Sequence, residues 1–290
     1  MAVKGLSSVW SGFAIAAIIR KMSKKSLSNH VILITGASSG IGEASALLFA
    51  KEGCRVILAA RRAERIHALA DKIRSEGGQA LPVPTDVSQL DSLNTLVQAA
   101  LSEWGQIDIL FNNAGFGRLK FLDALDPIQD IEAQLRVNQW GVIQLTRAVL
   151  PHMIERRSGH IINMVSMAGL VAMPTYSIYA ATKYAVRGFT DALRREVGVW
   201  GVKVSGIYPG AVETEFDEHS GANRKTGVRT PKILALSAEE VAREVVKLAR
   251  RPRRMVVIPR VMRPAVWLTW HFPGVVDWIV ERMFVRRERL

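Results

Sequence analysis

Tyr179 and Lys183 stand four residues apart in Tyr179-Ala180-Ala181-Thr182-Lys183, and Ser166 lies thirteen residues before the tyrosine. On a helix, positions i and i+4 share a face, so the ammonium comes close to the phenol. A phenol ordinarily titrates near pH ~10 and exchanges protons poorly at neutrality. A neighbouring cation favours the phenolate and moves the group toward the working pH, which general acid–base catalysis requires. Many helices carry such pairs on solvated faces with no chemistry attached, so this one takes its meaning from the rest of the chain.

Upstream, Val31 to Thr35 is an apolar, β-branched run of the kind found in strands buried on both faces. It runs directly into Gly36-Ala37-Ser38-Ser39-Gly40-Ile41-Gly42, followed by a helix-forming segment over 43–51. Strand, glycine-rich turn and helix together form a phosphate cradle. The glycines let the backbone approach a pyrophosphate, which then sits at the positive end of the helix dipole. The spacing is Gly-x-x-x-Gly-x-Gly rather than the commoner Gly-x-Gly-x-x-Gly. A second strand over 55–60 completes a βαβ unit.

The end of that second strand discriminates between dinucleotides. A carboxylate there binds a free ribose 2′-hydroxyl, whereas an arginine accepts a 2′-phosphate. The chain reads Ala59-Ala60-Arg61-Arg62, with no acid. A guanidinium grips a phosphate with paired hydrogen bonds, so NADP(H) is the expected cofactor.

These motifs and their order resemble the short-chain dehydrogenase/reductase family over roughly 29–259. Thr35 to Gly42 matches the family's cofactor turn, with Gly36, Ser38, Ser39, Gly40, Ile41 and Gly42 implied as cofactor contacts. Asp86 and Val87 match the pair at the adenine. Asn113, Ala114 and Gly115, in Asn112-Asn113-Ala114-Gly115, match the motif closing the fourth strand. Asn138 fits the helix asparagine in a Val-Asn-x-x-Gly setting, and Ser166, Tyr179 and Lys183 complete the tetrad. Pro209, Gly210 and Thr214 match the segment near the nicotinamide. The resemblance implies that Tyr179 exchanges the proton, Lys183 lowers the phenol pKa and holds the nicotinamide ribose, and Ser166 bonds the reacting carbonyl. Asn138 is implied to hold a water for a proton relay. The short tyrosine–lysine gap favours carbonyl reduction over the enoyl reduction of relatives with a longer gap. Tyr176 and Tyr184 lack a lysine four residues on and read as packing or substrate-wall residues.

The flanking elements agree. At 290 residues, about half of them hydrophobic, the chain suits one domain with a sizeable core. Further strands are expected near 80–84, 107–112, 160–165, 203–208 and 255–259, with helices between. That alternation gives an α/β, Rossmann-like doubly wound parallel sheet with helices on both faces: a single catalytic domain, 30–259, with extensions 1–29 and 260–290. Cys54 is the only cysteine, which excludes an intrachain disulfide and fits a reducing, cytoplasmic setting. The six histidines show no ligand spacing, and no metal is expected.

The net charge of +13 is unevenly placed: +5 on 1–29, +7 on 250–290 and only +1 on 30–249. A nearly neutral body argues against nucleic acid as a partner. Both tails pair basic with apolar residues. The stretch 9–19, with Trp10 and Phe13, falls short of the ~20 residues a spanning helix needs and lacks a clear cleavage site. The C-terminal extension places Trp267, Trp270 and Trp278 among aliphatic residues and arginines, broken by Pro273-Gly274. Over 275–285, Asp277, Glu281 and Arg282 fall toward one side. Such a tail suits an anionic membrane surface, with peripheral or monotopic attachment on the cytoplasmic face. The alternative is packing against the enzyme, closing the pocket or a homo-oligomer interface, and the two readings are compatible.

The segment 215–236 is polar and glycine-containing; in the family the corresponding stretch acts as a substrate lid. Phe216, His219 and Arg229 within it do not specify a substrate, while the apolar tails point to a lipid-like ketone or aldehyde. The leading function is therefore an NADPH-dependent carbonyl reductase, reversible as an alcohol dehydrogenase. Two alternatives remain: a catalytically silent NADP-binding regulator or scaffold at a membrane, and a nucleotide-sugar epimerase or dehydratase. An intact tetrad disfavours the first, and the short chain beyond the sixth strand disfavours the second.

Overall fold

The computed structural model describes residues 26–216, 220–221 and 235–289. The N-terminal stretch 9–19, with Trp10 and Phe13, lies outside the described residues, as do His219 and Arg229.

Seven strands form one parallel sheet in the order β3-β2-β1-β4-β5-β6-β7. They are β1 Val31–Thr35, β2 Arg55–Ala60, β3 Gln79–Pro84, β4 Ile109–Asn112, β5 Gly159–Met164, β6 Val202–Pro209 and β7 Met255–Ile258. The expected doubly wound sheet is present. Its β4 begins two residues later than the hydrophobic run. The Asp108 carboxylate there accepts from the Val31 amide at 2.8 Å, in place of a strand backbone partner.

Side chains of β1 alternate between the two faces. Ile32 and Ile34 pack with helices α1 (Gly40–Lys51), α2 (Ala63–Ser75) and α6 (Ala238–Arg250). Val31 and Leu33 pack with α3 (Leu90–Trp104), α4 (Gly141–Glu155) and α5 (Ser177–Val197). Period-two alternation in a strand buried on both sides thus builds two cores, one per face. The strand order reverses between β3-β2-β1 and β4 onward, and the two halves diverge at the carboxyl ends of β1 and β4. A crevice opens there, the usual ligand position in such sheets.

Helix α1 starts at Gly40, not at 43 where its periodicity begins. The low helix propensity of glycine hides the first turn from the sequence pattern, although the turn itself is helical. Asn138 lies on a π-type turn, Arg136–Trp140, that leads directly into α4. Widened turns of this kind recur at functional sites, because they re-aim a side chain within a helix.

The C-terminal extension packs on the body and stays partly outside it. Its helices run Arg263–His271 and Pro273–Val280, then through a π-type turn, Glu281–Val285. Trp270 Nε1 donates to the Leu170 carbonyl at 3.0 Å, and Arg187 stacks 4.6 Å from its ring centroid. Phe284 is buried, and Arg289 pairs with Asp123 at 2.7 Å. Among the described residues, no helix is long and apolar enough to cross a membrane.

Candidate active site

The crevice is a cleft of about 1760 Å³. Pockets for drug-sized ligands run to ~1,000 Å³, so this one has room for an extended ligand together with a second molecule. Of the catalytic and cofactor-binding residues expected from the sequence, all but Gly42 and Asn138 line it. Those two stand directly behind its wall.

At the glycine end, two main-chain φ angles are positive, Gly36 at 68° and Gly40 at 56°. A Cβ on Gly42 would lie 2.1 Å from the Gly36 carbonyl oxygen, so only glycine lets the helix pack onto the turn. Thr35 and Asn113 brace this turn from below. Thr35 Oγ1 accepts from the amides of Asn113 and Ala114, each at 3.0 Å, and Asn113 Nδ2 donates to Thr35 O at 2.9 Å. The carboxyl ends of β1 and β4 are thereby locked together where a pyrophosphate would rest.

Ser39 is the N-cap of α1, yet its side chain does not cap the helix; its hydroxyl accepts from Arg62 Nη2 at 2.7 Å. That arrangement leaves first-turn amides for an anion. Arg62 Nε also donates to Ser38 Oγ at 3.1 Å, and Nη1 to Glu215 at 2.9 Å. Arg65, one helical turn on, donates to the other Glu215 oxygen at 2.5 Å. Glu215 is held down to about 2, chiefly by its hydrogen bonds from Arg65 and then Arg62. Arg61 is exposed on the same wall. These glycines, first-turn amides and arginines fit a dinucleotide. Asp86, next along this wall, accepts from the amide and hydroxyl of Ser88 at 2.9 and 2.8 Å, which shapes the turn after β3.

At the other end lie Ser166, Tyr179 and Lys183. Ser166 follows β5 with φ 89°, an uncommon conformation for a non-glycine residue, and its Oγ accepts from the Ala168 amide at 3.2 Å. Tyr179 and Lys183 lie on one face of α5, as the i,i+4 spacing requires, and both are buried. The Lys183 Nζ is 5.5 Å from the Tyr179 ring centroid and donates to the Met164 carbonyl at 3.0 Å. Burial lowers the lysine from 10.5 to about 8. Asn138 is fully buried; its Oδ1 accepts from the Phe116 amide at 2.9 Å and its Nδ2 donates to the Phe116 carbonyl at 2.7 Å. Its amide therefore clamps the loop after β4 beside Lys183: a Cβ on Gly115 would lie 3.1 Å from Asn138 and 3.4 Å from Lys183.

Tyr176 and Phe216 flank Tyr179, with ring centroids 6.1 and 5.4 Å away. Leu119, Met167, Val171, Met173 and Met262 extend this apolar end. Tyr184 instead donates to the Leu170 carbonyl at 2.8 Å.

Sequence reasoning missed two groups. One is a buried polar chain beneath the site: Asn112 Nδ2 donates to Thr146 and to Asn163, at 3.0 and 2.9 Å, and Asn163 donates to Thr190 at 2.8 Å. It ties β4 and β5 to α4 and α5. A lone asparagine in each otherwise apolar strand end, Asn112 in β4 and Asn163 in β5, was the available signal. The other is the Arg65–Glu215 pair; Arg65 could have been found as the next turn after Arg61 and Arg62, but Glu215, 150 residues away, carries no local signal.

The profile of the short chain dehydrogenase family matches residues 30–225. An uncharacterized oxidoreductase of Staphylococcus saprophyticus is 35% identical over 241 residues, 82% of this chain and 96% of that protein. A short-chain dehydrogenase/reductase from Burkholderia phymatum, solved with NAD, superposes with a TM-score of 0.78 at 27% identity, covering 87% of this chain and 96% of its own. A metagenomic short-chain oxidoreductase, solved with NADP, gives 0.69 at 31% identity, with 80% and 98% covered. Sequence and fold agree over the same span as the cleft: the chain belongs to the short chain dehydrogenase family of oxidoreductases.

Proposed function

We propose that the protein is an NADPH-dependent reductase of apolar ketones or aldehydes, reversible as an alcohol dehydrogenase, working at an anionic membrane surface. The observation that carries this reading is the cleft's polarity. A guanidinium sits over two serine hydroxyls at one end, and a buried tyrosine–lysine pair lies among apolar side chains at the other.

Bound NADPH supplies the hydride, and the protein supplies position and protons. The Ser166 and Tyr179 hydroxyls hydrogen-bond the substrate oxygen, and Pro209 and Gly210, which line the same cleft, would hold the nicotinamide. Tyr179 then gives its proton to that oxygen as charge develops. The Lys183 ammonium stabilises the phenolate left behind. With its pKa at about 8, the ammonium is still mostly charged at neutrality. Asn138 keeps the loop at Phe116 in register with Lys183 and serves the proton relay expected of that position. Arg62, with Arg61 beside it, receives the 2′-phosphate.

The C-terminal extension supports the membrane half of the reading. Trp267 and Trp278 are 55% and 56% exposed, close to Phe272, Val275 and Met283, also exposed. The same region carries the +7 charge of 250–290. Aromatic rings beside arginines favour the headgroup layer of an anionic leaflet. Met262 and Ala265, at the start of this extension, line the cleft, so an apolar substrate can pass from the bilayer to Tyr179.

The test is NADPH oxidation over aldehydes and ketones of increasing chain length, with and without anionic vesicles. Turnover rising with both supports the proposal. Tight NADPH binding without turnover on any compound favours the silent-binder alternative. Equal flotation with vesicles by the full chain and a form ending at residue 259 removes the role given to the C-terminal extension.

A further inference from the structure

Glu215 occupies Arg62, the arginine that the proposed function assigns to the 2′-phosphate, together with Arg65 one helical turn on. Its two oxygens take Arg62 Nη1 at 2.9 Å and Arg65 Nη1 at 2.5 Å, a divided grip of the kind a phosphate receives. The rest of Arg62 is turned to Ser38 and Ser39, in the first-turn region of α1. All three side chains are about a third to a half exposed, so these pairs are weak and open to exchange with an incoming anion. The carboxylate itself stays ionised down to about pH 2, so protonation does not release it near neutrality; a competing anion must.

The neighbours of Glu215 connect this end of the cleft to the other. The Thr214 methyl lies against Gly40, where a Cβ would come within 3.1 Å of it. Phe216 packs against Tyr179, the rings tilted at 58° with centroids 5.4 Å apart, and closes on Gly117, where a Cβ would fall 2.8 Å from the Phe216 ring. One residue on either side of the carboxylate therefore touches the cofactor turn and the catalytic tyrosine.

We propose that Glu215 is a built-in competitor of the 2′-phosphate: it holds Arg62 and Arg65 before the cofactor arrives, and its displacement frees Phe216 from the face of Tyr179. A phosphate near pH 7 carries almost two charges and three acceptor oxygens against one charge and two, so it wins both arginines. A 2′-hydroxyl does not. Loading of a 2′-phosphorylated dinucleotide thus opens the substrate end, and loading of the unphosphorylated one leaves Phe216 in place.

This inference rests on the NADP reading, and adenosine 2′,5′-bisphosphate and ADP separate the two. Calorimetry with the full chain and with Glu215→Gln gives the affinities; hydrogen exchange at the backbone amides of 213–216 reports the segment. The expected result is that Glu215→Gln binds the 2′,5′-bisphosphate about fivefold tighter or more, with ADP unchanged. Exchange at 213–216 should rise in the wild type on adding the 2′,5′-bisphosphate but not ADP, and should be raised already in Glu215→Gln. If the wild type prefers the 2′,5′-bisphosphate and Glu215→Gln binds it no better, the competitor role is overturned while the NADP reading stands. If the wild type binds both ligands equally and Glu215→Gln newly prefers the 2′,5′-bisphosphate, Glu215 is the competitor and the NADP reading fails. Equal binding of both ligands by both proteins overturns both.

Discussion

Lys183→Met should destroy activity and change how stability responds to alkali. The lysine is only 3% exposed, and its charge is buried against a single carbonyl acceptor, Met164 O at 3.0 Å. Burial lowers its pKa from 10.5 to about 8; at ~1.36 kcal/mol per pKa unit, that is about 3 kcal/mol of charge-burial cost at neutral pH. Below about pH 8 both folded and unfolded chains hold the proton, and the cost is paid in full. Between about 8 and 10.5 the unfolded chain binds more protons than the folded one, so the wild type gains stability as pH rises through that window. Methionine has nearly the same shape and no proton to lose, so it gains nothing there. Its own penalty, the lost bond to Met164, is about 1–3 kcal/mol and does not depend on pH. Urea unfolding of both proteins at pH 7 and pH 10 isolates the difference, because every other titrating group cancels. The wild type should gain about 2–3 kcal/mol on the variant between the two pH values, while turnover of the variant falls about a hundredfold or more. Parallel stability profiles would show that the ammonium is not desolvated in the folded enzyme, and the electrostatic account of Tyr179 would fail with it.

Tyr179→Phe should lower turnover about 10²- to 10⁴-fold and leave NADPH binding unchanged by calorimetry; activity within about tenfold of the wild type contradicts the proton role. Arg62→Ala should weaken NADPH about tenfold or more and NADH little, and Arg61→Ala should do less, because Arg62 is the residue already seated on the serines. Equal losses for both cofactors would refute the phosphate assignment. Gly42→Ala places a methyl 2.1 Å from the Gly36 carbonyl, so it should lower stability by about 1–3 kcal/mol and weaken both cofactors alike, read by thermal unfolding and titration.

The parts of this protein that the sequence made legible are those encoded locally. β1 and β2 fell on their observed limits because β-branched runs end at glycine or arginine signals. The tyrosine–lysine pair was readable because helical spacing alone puts both side chains on one face. The start of β4 was misplaced because the Asp108 side chain replaces a strand partner, and period-two patterning does not record that substitution. Phe216 had been singled out only as part of a long polar segment. Its ring lies tilted against Tyr179, far away in the chain, and no local pattern describes that contact.

The choice of dinucleotide shows the same limit in a sharper form. Read along the chain, Arg61 and Arg62 with no acid nearby favour a phosphate over a hydroxyl. In space an acid is present after all, contributed by Glu215 from the far side of the cleft. Both Glu215 oxygens are committed to guanidinium groups, and Arg62 and Arg65 outnumber it. The local charge at this end of the cleft therefore stays positive, and the inference drawn from the arginines survives the appearance of the acid. What changes under the proposed competition is its strength: a 2′-phosphate would first have to displace a partner, so an affinity for NADPH would measure a competition rather than the arginines alone.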